Sequence, residues 1–221
     1  MTPNKEDYLK VIYELGQTEQ KITNKQIAEK MNFSAPAVSE MLKKMVTEEL
    51  IEKDKSAGYI LSQVALEMVA NLYRKHRLIE VFLVEQLGYS PEQVHEEAEI
   101  LEHTVSDHFI NQLDKLLGYP QTCPHGGSIP KENQLLVERY QTRLSQLTEI
   151  GSYQLVRIHD FYQLLQYLEQ HELTVGDQLL VTAFDQFAQT ITIQYKDKDK
   201  ELAIPTAIAQ ELFVEKQNRP A

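Results

Sequence analysis

Apolar residues along the first sixty positions recur first at helical and then at strand spacing. Tyr8, Leu9, Ile12 and Tyr13 make one stripe of a helix over residues 3–15, which Gly16 ends. Thr23-Asn24-Lys25-Gln26 has the form of a capping box ahead of Ile27, Ala28 and Met31. Asn32 and Phe33 make a tight break. Ser34 then caps a second helix with Pro36 in its first turn, and Val38, Met41, Leu42 and Met45 recur at i, i+3, i+4 and i+7. This is the spacing of a helix-turn-helix. Residues 52–61 change to two short strands around the turn that contains Gly58, which predicts a wing.

Further along, Met68, Val69, Leu72, Leu78, Ile79, Phe82 and Leu83 predict one helix from about 63 to 87, longer than a small domain needs for itself and suited to an interface. Ser90-Pro91-Glu92-Gln93 reads as another capping box, opening a helix through His103 that continues, after a break, toward Leu117. Residues 118–130 hold three prolines and three glycines and predict an ordered functional loop. Residues 131–148 are polar and are expected to be partly helical. Strand patterns at 153–158, 178–183, 190–194 and 202–204, with a helix at 161–170, predict a small barrel-like domain. The expected fold is mainly α with a small β part: a winged helix-turn-helix at 1–62, a helical domain and linker at 63–148, and a β domain at 149–221.

Charge complicates a DNA-binding reading. Lys and Arg total 22 against 33 Asp and Glu, a net charge of −11, whereas phosphate binding is driven by cationic side chains that release counterions. The distribution softens the objection. Residues 1–62 carry nine lysines against ten acids, while residues 78–114 carry nine acids and no Lys or Arg. That acidic block is either a solvated helix face or a cation site. The first seven residues have neither the basic nor the apolar region of a secretory signal, and no stretch approaches the roughly 20 apolar residues of a membrane span. With a single cysteine, the chain reads as a cytoplasmic protein without membrane association.

The apolar positions of the second helix of the pair push Pro36, Ala37, Glu40, Lys43 and Lys44 outward, with Ser39 at the margin. Small residues near a helix N-terminus permit close approach to base edges and lysines neutralise phosphates, so this face, with Thr23, Lys25, Gln26 and Ser34, is the candidate DNA surface. The plainer alternative is the surface helix of any helical bundle. In His95-Glu96-Glu97-Ala98-Glu99-Ile100-Leu101-Glu102-His103, helical spacing brings His95, Glu99, Glu102 and His103 within about one third of the circumference. His76 and Glu80, at i and i+4 on the preceding helix, are placed to complete a metal site across the helix pair. Each pair alone is more often a solvated contact. Cys123 and His125 in the Pro/Gly loop, Asp7 and Asp160 are the remaining candidates, and singly each reads as an ordinary structural or surface residue.

The ordered set of motifs resembles the diphtheria toxin repressor and manganese transport regulator family. It comprises the Thr-Asn-Lys-Gln-Ile-Ala helix-turn-helix, the wing, Leu72 to Glu80, His95 to Glu99, Leu101-Glu102-His103 and Cys123-Pro124-His125-Gly126. Streptococcal-type manganese-dependent repressors are the nearest likeness. The resemblance implies a helical metal-binding and dimerisation domain, a C-terminal SH3-like domain, and a homodimeric repressor gripping double-stranded operator DNA of metal-uptake genes. Asp7, His76, Glu99, Glu102 and His103 match the family's metal positions, as do Glu80 and His95 in related members. Cys123, His125 and Asp160 match a second, loop-associated site. Iron-sensing relatives carry Met and Cys where this chain has Asp7 and Glu99. Hard oxygen donors remove the advantage of softer metals and suit Mn²⁺, whereas Cys123 would favour Zn²⁺ or Fe²⁺ at the second site. Two other readings stand beside the Mn²⁺ repressor: an Fe²⁺-responsive repressor of the same family, and a metal-dependent hydrolase. The hydrolase lacks a nucleophile motif and a phosphate-cradling loop, and the expected protein is not an enzyme.

Overall fold

The structure, a computed structural model, describes residues 3–91, 93–196 and 200–217. The chain divides into two compact units, residues 1–75 with 130–136 and residues 76–129 with 137–221.

The first unit contains α1 (Pro3–Gly16), α2 (Asn24–Met31), α3 (Ala35–Thr47), β1 (Ile51–Asp54), β2 (Gly58–Leu61) and the first half of α4 (Gln63–Leu87). Thr23 forms the expected capping box: its side chain accepts from the Gln26 N–H while the Gln26 side chain accepts from the Thr23 N–H at 2.9 Å. Asn32 closes α2 in the left-handed region at φ 55°, and Ser34 caps α3 through the Ala37 N–H. Such a cap contributes about 1 kcal/mol. The residues picked out by helical spacing, Leu9, Ile12, Ile27, Val38, Leu42 and Met45, are buried together with Ile51 and Val69. β1 and β2 pair antiparallel from Ile51–Leu61 to Asp54–Gly58. Gly58 is required there, because it has φ +79° and a Cβ would lie 1.9 Å from the Ile22 carbonyl oxygen, which accepts from the Tyr59 N–H.

The second unit begins at His76 within α4 and continues with α5 (Val94–Glu102) and α6 (Asp107–Leu116). α5 starts later than Ser90-Pro91-Glu92-Gln93 predicted. Gln93 does reach back to the Ser90 N–H at 3.3 Å, but the pair closes a turn, and Gln93 occupies the N-cap position without a side-chain cap; Glu92 lies outside the described residues. The break between α5 and α6 is enforced by Ser106, which caps α6 through the Phe109 N–H. Leu78, Ile79, Leu83, Val94, Ala98, Ile110 and Leu113 form the core beneath these helices, and Cys123 joins it.

Residues 131–148 correct the expectation of helix: among the described residues they hold only a 3-10 turn, Leu144–Gln146. Their backbone is used otherwise, with the Thr142 carbonyl accepting from the Val214 N–H and Arg143 bridging to Phe213. The β part comprises β3 (Gly151–Ile158), α7 (Tyr162–Gln170), β4 (Gln178–Asp185), β5 (Thr190–Tyr195), β6 (Lys200–Pro205), α8 (Thr206–Ala209) and β7 (Leu212–Lys216). Its five strands form one antiparallel sheet in the order β6-β5-β4-β3-β7 around Leu155, Leu165, Leu179, Ile193, Ile204 and Leu212. β7 was not predicted; Leu212, Phe213 and Val214 are all buried, so the strand shows no alternation. The end of β3 delivers Asp160 to the centre described next.

Candidate metal centre

On α4 the i,i+4 spacing puts His76 and Glu80 on one face, and both are buried, at 1% and 0% exposure. His76 stands between two carboxylates, its Nδ1 2.5 Å from Glu102 and its Nε2 3.2 Å from Glu80. His76, Glu80, His95 and Asp160 bring ligand-type atoms within 4.8 Å of one another, as do His76, Glu99 and Glu102 on the α5 side and Glu80, Cys123 and His125 on the loop side. His103, the C-cap of α5, lies 3.4 Å from Glu102. Asp7 lies on α1 in the first unit. Glu80 thus belongs to two of the groups, and Asp160 assembles with His76, Glu80 and His95 rather than within the Cys123–His125 triplet.

The loop is shaped to present its donors. The His125 Nε2 donates to the Pro91 carbonyl at 2.9 Å, and a carbonyl can only accept, so Nε2 must carry the proton. Nδ1 then faces Glu80 at 3.1 Å, without hydrogen-bonding geometry. Gly126, at φ +79°, lets the loop lie on β3: the His125 carbonyl accepts from the Ile158 N–H at 2.9 Å, and a Cβ on Gly126 would lie 2.0 Å from the Val156 carbonyl oxygen.

Electrostatics tie the groups together. Burial raises the Glu80 carboxylate, but the charges of His76 and His125 override it and hold Glu80 well below the usual range. Burial lowers His125, yet Glu80 and Cys123 hold it up to about 12. For Cys123, burial and the Glu80 charge both push the thiol up. Burial and Glu80 raise Asp160, while His95, His76 and His125 bring it to about 2. The charge of His125 therefore offsets part of the negative charge gathered here. A buried carboxylate oxygen, Glu80 Oε2, and the buried His95 Nδ1 have no hydrogen-bond partner. Oxygen, imidazole and sulfur donors converging with unsatisfied lone pairs fit a divalent cation.

Beside these donors lies a charge cluster that pattern reading did not single out. Glu138 accepts from Arg77 at 2.6 Å and from the Ser128 N–H at 2.9 Å, and it lies 3.2 Å from Arg157. Arg77 also donates to the Ser128 carbonyl at 2.5 Å. Arg157 sits over the Phe213 ring, 3.5 Å from its centroid. A Cβ on Gly127 would lie 2.7 Å from the Arg77 guanidinium carbon, so glycine makes room for it. In the sequence the one signal was Arg77 beside His76. Burial raises the Glu138 carboxylate, but Arg77 and Arg157 hold it below its ordinary value of 4.5. A depressed carboxylate stabilises the fold fully above its unfolded pKa and loses that contribution as pH falls through its folded pKa. Resistance to urea should therefore fall on acidification below about pH 4.5, and Glu138→Gln should flatten that part of the profile. An equally steep profile in the variant would contradict the assignment.

The candidate DNA face divides in the first unit. Lys25, Ser34, Pro36, Ala37, Glu40, Lys43 and Lys44 are exposed. Thr23 and Gln26 are engaged in the capping box, and Ser39 donates to the Ala35 carbonyl at 2.9 Å and pairs with Asn24 at 2.5 Å. Asn24 was not among the predicted residues; it is half-buried, and only the fold reveals its pairing.

A winged helix-turn-helix on the same chain as this donor set is the make-up of a metal-responsive transcription regulator. Comparison with known proteins agrees throughout the chain. Residues 1–59 match the iron dependent repressor N-terminal DNA binding domain, 65–131 the iron dependent repressor metal binding and dimerisation domain, and 142–216 the FeoA domain. The solved structure of the manganese regulator SloR is 56% identical, covers 98% of this chain and 100% of its own, and superposes with a TM-score of 0.88. ScaR with bound Zn²⁺ is 52% identical over 97% of this chain and 100% of its own, with a TM-score of 0.91. The diphtheria toxin repressor of Corynebacterium jeikeium (strain K411) is 35% identical over 131 residues, 59% of this chain and 55% of that protein. The chain thus spans little more than half the length of that curated relative. It belongs to the family of metal-dependent repressors that includes the diphtheria toxin repressor and the manganese transport regulators. Among the described residues, no helix is long and apolar enough to cross a membrane.

Proposed function

We propose that the chain is a cytoplasmic, Mn²⁺-responsive repressor that binds operator DNA of metal-uptake genes as a homodimer. The observation that carries this reading is Glu80, fully buried, with one oxygen unsatisfied and imidazoles on both sides. His76, Glu80, His95, Glu99, Glu102, His103, Cys123, His125 and Asp160 would hold cations, and Asp7 is a further candidate ligand. A bound divalent cation would supply positive charge without a proton. The carboxylates favour Mn²⁺, in keeping with the manganese regulators named above, and Cys123 leaves the loop side open to Zn²⁺ or Fe²⁺. Lys25, Lys43 and Lys44 would meet phosphates while Ser34, Pro36 and Ala37 let α3 approach base edges, with Thr23, Gln26, Ser39 and Glu40 shaping the same face. We further propose the division 1–62, 63–148 and 149–221 into DNA-binding, metal-binding with linker, and SH3-like parts.

Fluorescence anisotropy with genomic fragments at fixed salt, in Mn²⁺, Fe²⁺, Zn²⁺ or chelator, tests the proposal. Salt must be fixed because phosphate contacts dominate such affinities. Mn²⁺ should confer binding that chelator reverses, and Asp7→Ala should need more Mn²⁺ for the same occupancy. Equal DNA binding in chelator would contradict it.

A further inference from the structure

We infer that Glu138 is a positioning residue for the metal centre, holding three of its ligand-bearing segments, those of α4, the loop and β3, in register; this rests on the reading of the centre given above. Each partner of its carboxylate stands next to candidate ligands. Arg77 follows His76 on α4 and precedes Glu80 by three positions. Ser128 lies three residues after His125 in the loop. Arg157 lies on β3, three residues before Asp160. One carboxylate therefore ties helix, loop and strand together, and the segment that supplies it contributes no predicted ligand itself.

The charges show why the tie must be anionic. Arg77 and Arg157 are both buried, at 6% exposure, and face the same carboxylate, which lies 2.6 and 3.2 Å from them. Without Glu138 the two guanidinium groups would repel each other in a site from which water is largely excluded. Loop and strand would then be pushed apart, and with them His125 and Asp160. Ser128 closes the arrangement, since its Oγ accepts from the Arg139 N–H at 2.8 Å and so holds the residue after Glu138 on the loop. A neutral Gln at 138 could keep some of these contacts but not the charge balance.

The test is Mn²⁺ binding to the full chain, measured by competition with a chelating dye, beside thermal unfolding of the metal-free protein. Wild type, Glu138→Gln, Glu138→Asp and Glu80→Gln are compared. Glu138→Gln should weaken Mn²⁺ binding by about 10–100-fold, the range for groups that orient metal ligands, and Glu138→Asp, which restores the charge, should recover part of it. A folded Glu138→Gln protein with wild-type Mn²⁺ affinity would overturn the inference and leave Glu138 a purely structural residue. Should Glu138→Gln not fold, Arg157→Gln takes its place: it frees β3 while Arg77 still neutralises Glu138, and unchanged Mn²⁺ affinity there would overturn the inference equally. Glu80→Gln separates the two levels. If it binds Mn²⁺ like wild type, the centre itself has been misassigned; if it alone loses affinity, only the role of Glu138 falls.

Discussion

Glu80→Gln is expected to weaken Mn²⁺ binding by at least about 100-fold, roughly 2.8 kcal/mol, and with it metal-dependent DNA binding. The substitution keeps side-chain volume and removes one negative charge at a fully buried position that faces His76 at 3.2 Å and His125 at 3.1 Å. Groups that only orient metal ligands cost up to about 100-fold when lost, so an anionic ligand common to two donor groups should cost no less. The fold should survive, because an amide can still bond to an imidazole; a loss of about 1–3 kcal/mol in stability is expected for the charged hydrogen bond to His76 given up. Calorimetric titration of Mn²⁺ into the full chain, beside urea unfolding, measures both quantities. Wild-type affinity in a folded variant would count against the centre.

Gly126→Ala should have the larger effect on stability. The left-handed conformation costs an alanine about 1–2 kcal/mol. The added Cβ would meet the Val156 carbonyl oxygen at 2.0 Å, and that partner is strand backbone, which cannot rotate away. Overpacking of this kind adds about 1–3 kcal/mol. Together these predict a melting temperature lower by roughly 5–15 °C for a chain of this size. Relief requires the loop to lift from β3, breaking the bond between the His125 carbonyl and the Ile158 N–H and moving Cys123 and His125 from Glu80. Mn²⁺ affinity should therefore fall together with stability, as calorimetry and thermal unfolding would show. A variant that melts and binds like wild type would contradict this account of the loop.

Local chemistry explains which parts were legible in the sequence. Thr23, Gln26, Asn32 and Ser34 act on backbone groups within a few residues of themselves, so the helix-turn-helix could be read directly. The spacing of His95, Glu99 and Glu102, and of His76 and Glu80, likewise fixes which faces they share. Long-range pairing left no such mark. Nothing in the sequence relates Glu138 to Arg77 and Arg157, 61 and 19 positions away, or shows that the polar stretch around it forms no helix beyond a 3-10 turn. Ser90-Pro91-Glu92-Gln93 misled about the start of α5 because the same bond between Gln93 and the Ser90 N–H serves a turn as well as a helix. β7 was missed because a strand buried along its whole apolar run has no alternation to detect.

Anomalous diffraction from crystals of the full chain grown with Mn²⁺ probes the centre most directly. The account predicts a manganese peak with a Glu80 oxygen and at least one of His76, His95 and His125 within about 2.0–2.6 Å, the span of metal–nitrogen and metal–oxygen bonds. Peaks confined to surface carboxylates, with Glu80 still paired only to its imidazoles, would contradict it.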